Sequence, residues 1–217
     1  MTAVVFSGPS IDHRSVARLV DARVMPPVAR GDIDRLLAAD RPPERIGIID
    51  GRFLQSFALS PKEILRAIDR RVVVYGSASM GALRAVECEP FGMRGVGRIF
   101  EEFQSGRTNR DDEVAMTYCA TTLRPLSEPL ITMRFAVRQA VRDGVVSART
   151  ATRFVAIAGE LYFPHRTVRA VMQVLEREVA AKEADRLRAF FAAGPPDAKR
   201  EDAVAMLRRM DLDGRSG

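Results

Sequence analysis

Ser79 stands where a β-branched run, 72–75, gives way to a helical segment, within Gly76-Ser77-Ala78-Ser79-Met80-Gly81. Small residues at a sharp strand-to-helix junction have the pattern of a nucleophile elbow. The N–H groups of Met80 and Gly81 would then sit at a helix N-terminus, ready for an oxyanion. The pattern departs from an elbow at position 77, where Ser replaces the usual Gly. The same position suits a helix-capping serine, whose hydroxyl would be spent on backbone N–H groups. As a nucleophile Ser79 needs a base, and His13 and His165 are both remote from it in sequence. Of 34 Lys and Arg residues only Lys62, Lys182 and Lys199 are lysine. Arginine stays protonated near neutral pH, whereas a desolvated lysine can act as a base. Lys62 is the only lysine before 182 and follows Ser60-Pro61 at a helix start, where the positive dipole end disfavours an ammonium. A Ser79–Lys62 pair is therefore expected, of the kind convergent hydrolases use. The alternative is an exposed helix-start lysine. Glu63 would restore the ammonium if it paired with Lys62, but a capping box directs it to Ser60.

Other constellations are less specific. Arg84 and Glu87 follow Ser79 near one helical face, so Arg84 either pairs with Glu87 or clamps a substrate carboxylate or thiocarboxylate. Asp111-Asp112-Glu113 suits either a magnesium ion or capping at a helix start. Two cysteines and two histidines, far apart, exclude a Cys/His metal centre. No resident metal or cofactor is expected. Phe91-Gly92-Met93 and Gly95-Val96-Gly97 form a glycine-rich connection without the G-x-x-x-x-G-K-[ST] pattern, which rejects a P-loop.

These residues need elements to hold them. Apolar runs at 3–6, 45–49 and 72–75 alternate with helical patterns around 15–21, 32–39, 60–69 and 80–87. Such alternation implies a small parallel sheet with right-handed crossovers. Residues 25–28, Met-Pro-Pro-Val, read as extended or turn-like. Sites on such sheets form at the C-terminal strand ends, where Ser7–Ser10, Asp50–Gly51 and Gly76–Gly81 should converge. Ser10, Asp50, Lys62 and Ser79 would then face one crevice. After 111 the periodicity is helical, at 113–122, 129–142, 147–158, 165–180 and 197–210, with a frayed tail after 212. The expected organisation is an α/β core over 1–125 and an arginine-rich helical part over 126–217, packed as one body.

Composition narrows the function classes. Over 217 residues, 47% are hydrophobic and 29% charged, as in a globular chain with a real core. No apolar run approaches the roughly 20 residues of a membrane span. The N-terminus lacks a basic region before its Gly-Pro turn, so cytoplasmic residence is expected. The net charge of +6 comes almost wholly from arginine, which looks like coding bias, and no recognition-helix motif or aromatic platform supports nucleic-acid binding.

Seven segments together resemble the TfuA-like family: residues 6–10 (FSGPS), 25–32 (MPPVARGD), 46–53 (IGIIDGRF), 60–65 (SPKEIL), 74–87 (VYGSASMGALRAVE), 91–97 (FGMRGVG) and 106–115 (GRTNRDDEVA). The resemblance runs in order from about 4 to 116. It implies a partner of a YcaO enzyme in peptide-backbone thioamidation. The implied job is hydrolysing the C-terminal thiocarboxylate of a ubiquitin-like, ThiS-type sulfur carrier to release sulfide, with help in binding a precursor peptide. The setting implied is biosynthesis of a ribosomal peptide natural product. The family's proposed Ser plus Lys pair falls on Ser79 and Lys62, with Met80 and Gly81 as oxyanion donors and Ser10, Asp50 and Arg84 nearby. The competing expectation is a non-catalytic adaptor that docks carrier and peptide on the YcaO enzyme.

Overall fold

The computed structural model describes residues 2–53 and 58–215. These divide into two compact units, one drawn from Met1–Asn109 with Ala198–Gly217, the other from Arg110–Asp197.

In the first unit the strands are β1 (Ala3–Phe6), β2 (Arg23–Met25), β3 (Arg45–Ile48), β4 (Val73–Ser77) and β5 (Arg94–Val96). All pair in parallel, in the order β2-β1-β3-β4-β5. The expected small parallel sheet is present, with two strands more than the three predicted. Both extra strands are three residues long, begin with an exposed Arg and abut Pro or Gly, so they carry no apolar run to betray them. The central strands are buried on both faces: Val5, Phe6, Ile46, Ile48 and Val74 have no exposed surface.

The helices of this unit are α1 (His13–Leu19), α2 (Asp32–Leu37), α3 (Pro61–Asp69), α4 (Met80–Cys88) and α5 (Arg98–Gln104). α3 starts as its sequence dictates, with Ser60 at the N-cap, Pro61 at N1 and a complete Ser60–Glu63 capping box. Because the order reverses between β1 and β3, the crevice expected of an open parallel sheet lies beyond their C-terminal ends.

The second unit holds α6 (Leu130–Arg142), α7 (Ala148–Glu160), α8 (Val168–Leu175) and α9 (Ala181–Ala192) around a core that includes Leu130, Met133, Phe154, Val171 and Leu187. The helix expected at 113–122 does not form. A 3-10 turn over Asp111–Glu113 leads instead to a loop closed by a Tyr118–Pro125 bridge.

The C-terminal helix, α10 (Ala198–Arg215), does not belong with these four. It returns to the first unit, so the expected division at 125/126 is replaced by one at 109/110 and 197/198. The reason is its apolar stripe. Ala203, Met206, Leu207 and Met210 recur at helical spacing and pack in one cluster with Val5, Ile49 and Tyr75 of the sheet. At its far end Tyr75 Oη donates to Asp213 (2.7 Å) and Arg45 Nη1 to the Met210 carbonyl (2.5 Å). Residues 213–215 are helical rather than frayed.

Candidate active site

The C-terminal ends of β1, β3 and β4 bring three of the expected residues together. Asp50 is buried, and its Oδ2 accepts from the N–H groups of Gly8 (2.8 Å) and Ser10 (3.1 Å). Its Oδ1 accepts from Ser10 Oγ (2.6 Å). The β1 loop is thereby wound around one carboxylate, and Asp50 and Ser10 hold each other in place. The Asp50 N–H and carbonyl tie this loop to Phe6 and Val28 on either side.

Ser79 occupies the N-cap position of α4, but its hydroxyl does not cap the helix. The turn leading to it is tight. Ala78 has φ +64°, and the Ser79 N–H donates to the Ser77 carbonyl at 2.7 Å, closing a three-residue turn that L-residues adopt only under strain. The glycines flanking it permit close packing. A Cβ on Gly81 would lie 1.8 Å from the Ile48 carbonyl oxygen, and one on Gly76 2.2 Å from the Gly81 oxygen. The first turn of α4 is thus pressed against the ends of β3 and β4, which fixes Ser79 at the C-terminal end of the sheet.

The amine on Ser79 is Lys199, not Lys62. Lys199 Nζ donates to Ser79 Oγ at 3.1 Å, both side chains being almost wholly buried (3% and 2% exposed). The same Nζ lies 3.9 Å from Asp50 Oδ1. Lys199 is the second residue of α10 and stands one turn before Ala203, so it continues the helix stripe that faces the sheet. Lys62 is exposed at the start of α3, and its side chain makes no polar contact among the described residues. Its backbone N–H donates to Ser60 Oγ. The expected Ser79–Lys62 contact is therefore absent among the described residues; the lysine that reaches Ser79 stands 120 residues further along the chain, on α10.

Two further expectations are corrected. The Gly81 N–H donates to the Ile49 carbonyl at 3.3 Å and the Ser79 N–H to Ser77, so of the helix-start amides near Ser79 only Met80 N–H lacks a protein acceptor among the described residues. Arg84 is committed elsewhere: Nε donates to the Leu59 carbonyl (2.8 Å) and Nη1 to both Glu87 oxygens (2.6 and 2.7 Å). The ion-pair alternative for Arg84 is the one the structure contains.

One turn after Lys199, buried Asp202 accepts from Ile99 N–H (2.7 Å) at the start of α5. Burial pushes its carboxyl up to about 6, against the pull of these amides. Asp202 thus pins the first turn of α10 beside Lys199.

Two of the three acids at 111–113 are spent on arginines. Asp112 pairs with Arg110 (2.9 Å) and Arg166 (2.7 Å), and Glu113 takes Arg134 in a fork (2.7–3.0 Å). No group of three potential metal ligands occurs among the described residues. Cys88 is buried, which pushes its thiol up to about 11 and makes it a poor thiolate.

Among curated proteins none matches the sequence significantly. The chain does match the family described as TfuA-like protein over residues 50–167, which includes Asp50 and Ser79 and reaches further into the helical unit than the sequence motifs do. With more than half of its length matched, the chain belongs to the TfuA-like family.

Proposed function

We propose that the chain is a Ser-Lys acyl hydrolase of peptide-backbone thioamidation, with Ser79 as nucleophile and Lys199 as its base. Membership of the TfuA-like family is consistent with a role in thioamidation beside a YcaO-type protein. The substrate in this reading is the C-terminal thiocarboxylate of a ubiquitin-like, ThiS-type sulfur carrier, whose sulfide is released for the YcaO enzyme acting on a precursor peptide. The observation that carries it is the buried 3.1 Å contact between Lys199 Nζ and Ser79 Oγ.

The chemistry divides between these side chains. Burial favours the uncharged amine, because desolvation penalises the ammonium. Asp50 pulls the other way: its Oδ1 lies 3.9 Å from Nζ, close enough for an opposite charge to favour the ammonium without a hydrogen bond, so the reaction runs through the uncharged fraction of Lys199. The neutral amine takes the Ser79 proton as Oγ bonds to the acyl carbon. The oxyanion forms against the Met80 N–H and the positive end of α4. Lys199 then returns the proton to sulfur as the C–S bond breaks, so hydrosulfide leaves and the carrier is held as an ester on Ser79. Water, deprotonated by Lys199, attacks that ester and frees the carrier as a carboxylate. The anionic substrate needs a nearby cation at the moment of attack. With Arg84 bound to Glu87, protonated Lys199 supplies it. So deep a nucleophile meets the thin end of a chain more readily than a folded surface, which suits a carrier's C-terminus.

Mixing the purified protein with thiocarboxylated carrier and weighing the carrier intact tests the proposal. Conversion of thiocarboxylate to carboxylate, lost in Ser79→Ala, is expected. Thioamidation that persists undiminished in Ser79→Ala would replace the hydrolase with the adaptor reading.

A further inference from the structure

Two hydroxyls in this unit, those of Ser7 and Ser77, are fully buried and have no hydrogen-bond partner among the described residues. A buried hydroxyl without a partner costs stability, and packing alone would be served as well by alanine. Ser77 stands on the strained turn itself, two residues before Ser79, and its carbonyl holds the Ser79 N–H.

Its place can be read from the strand. Side chains alternate along β4, so Ser77 shares the face of Tyr75. Tyr75 packs with Ala203, Met206 and Leu207 of α10. Lys199, one turn before Ala203, extends that helix face toward the strand end where Ser77 lies. Ser77 Oγ and the Ser79–Lys199 pair are therefore on the same side of the sheet at the same strand end.

The backbone meanwhile leaves the oxyanion short of a donor. Effective oxyanion sites use at least two preorganised N–H or O–H groups. Here Ser79 N–H and Gly81 N–H are taken by carbonyls, which leaves Met80 N–H. We infer that the Ser77 hydroxyl is the second donor, turning to the oxyanion as it forms on the acyl group attacked by Ser79. It would be a catalytic residue, since it touches the reacting atoms. It also accounts for the elbow's departure from glycine at this position: the residue there carries a donor.

This inference rests on Ser79 being the nucleophile, and the test separates the two. The probe is a fluorophosphonate ester, which forms a covalent phosphorus adduct on an activated serine and places its P–O bond where the oxyanion would lie. The rate of labelling is followed by intact mass for wild type, Ser77→Ala and Ser79→Ala, alongside kcat and KM for thiocarboxylate hydrolysis. Ser77→Ala should label about 100- to 1000-fold more slowly and lose kcat by a similar factor with KM little changed. Its thermal midpoint should match or exceed wild type, because no protein hydrogen bond is lost. Wild-type rates in Ser77→Ala would overturn the inference while leaving Ser79 in place as nucleophile. A lowered midpoint with proportionate loss of folded protein would make Ser77 structural and overturn it equally. If wild type neither labels at Ser79 nor hydrolyses the thiocarboxylate, the hydrolase reading falls and this inference with it.

Discussion

The two units treat buried polar groups in opposite ways. In the helical unit Arg166 has no exposed surface, yet its guanidinium donates to the carbonyls of Ala158, Leu161 and Asp112 and to the Asp112 carboxylate. Buried Glu113 is matched by the Arg134 fork. Only the Thr132 hydroxyl lacks a partner among that unit's described residues. At the end of the parallel sheet, by contrast, the Ser79 hydroxyl meets an amine instead of capping its helix, the turn before it is strained, and two serine hydroxyls are unpartnered. Satisfied burial stabilises a fold and asks nothing of a ligand. Arg45 Nε at the opposite strand end is also unpartnered among the described residues, and Arg71 and Leu123 share the positive φ. Only at the Ser79 end do strain and unmet hydrogen bonds stand beside a buried Ser–Lys contact, which is where chemistry is to be sought.

That contrast can be broken by substitution. Arg166→Ala should be the most damaging to stability, by about 3–5 kcal/mol, because it leaves several buried acceptors unpaired. Urea unfolding reads this directly, and a loss under about 1 kcal/mol would erase the distinction between the two regions.

Asp202 gives a pH-dependent effect of somewhat smaller size. Its carboxyl is raised by burial to about 6, above the unfolded value near 3.8, so the folded state binds the proton more tightly. The resulting stabilisation is complete below about pH 4 and is lost as pH rises through 6, amounting to about 3 kcal/mol. Asp202→Asn keeps an oxygen for the Ile99 N–H and should remove this slope. Denaturation midpoints of the two proteins should therefore diverge steadily from pH 4 to 7.5, with the variant the more stable at the upper end. Parallel curves would show that Asp202 does not titrate there.

Ala78→Gly relieves the positive φ before Ser79 and should stabilise by about 0.5–1 kcal/mol, while loosening the turn and lowering activity. A gain in both stability and rate would mean that the strained turn contributes nothing to positioning Ser79.

Much of this was legible in the sequence. The three long strands, the capping box at Ser60, and the convergence of Ser10, Asp50 and Ser79 follow from apolar runs and turn residues whose effects are local. The edge strands β2 and β5 do not, since each is three residues long, begins with an arginine and has proline or glycine beside it. Lys199 escaped because its partner is 120 residues away and nothing in a helical period says which layer a helix will cover. Two signals were present: the rarity of lysine, which applies to Lys199 as much as to Lys62, and the stripe of Ala203, Met206, Leu207 and Met210 ending on a charged residue. A lysine in line with an apolar face must be buried or must break the face. Here it is buried against Ser79.

In the proposed reaction the amine that activates Ser79 comes from α10. Sulfide release from thiocarboxylated carrier, measured in parallel for Lys199→Ala and Lys62→Ala, tests it most directly. Lys199→Ala should fall by about a thousandfold or more, to the level of Ser79→Ala, while Lys62→Ala stays within about twofold of wild type. Full activity in Lys199→Ala, with the loss appearing in Lys62→Ala instead, would contradict it.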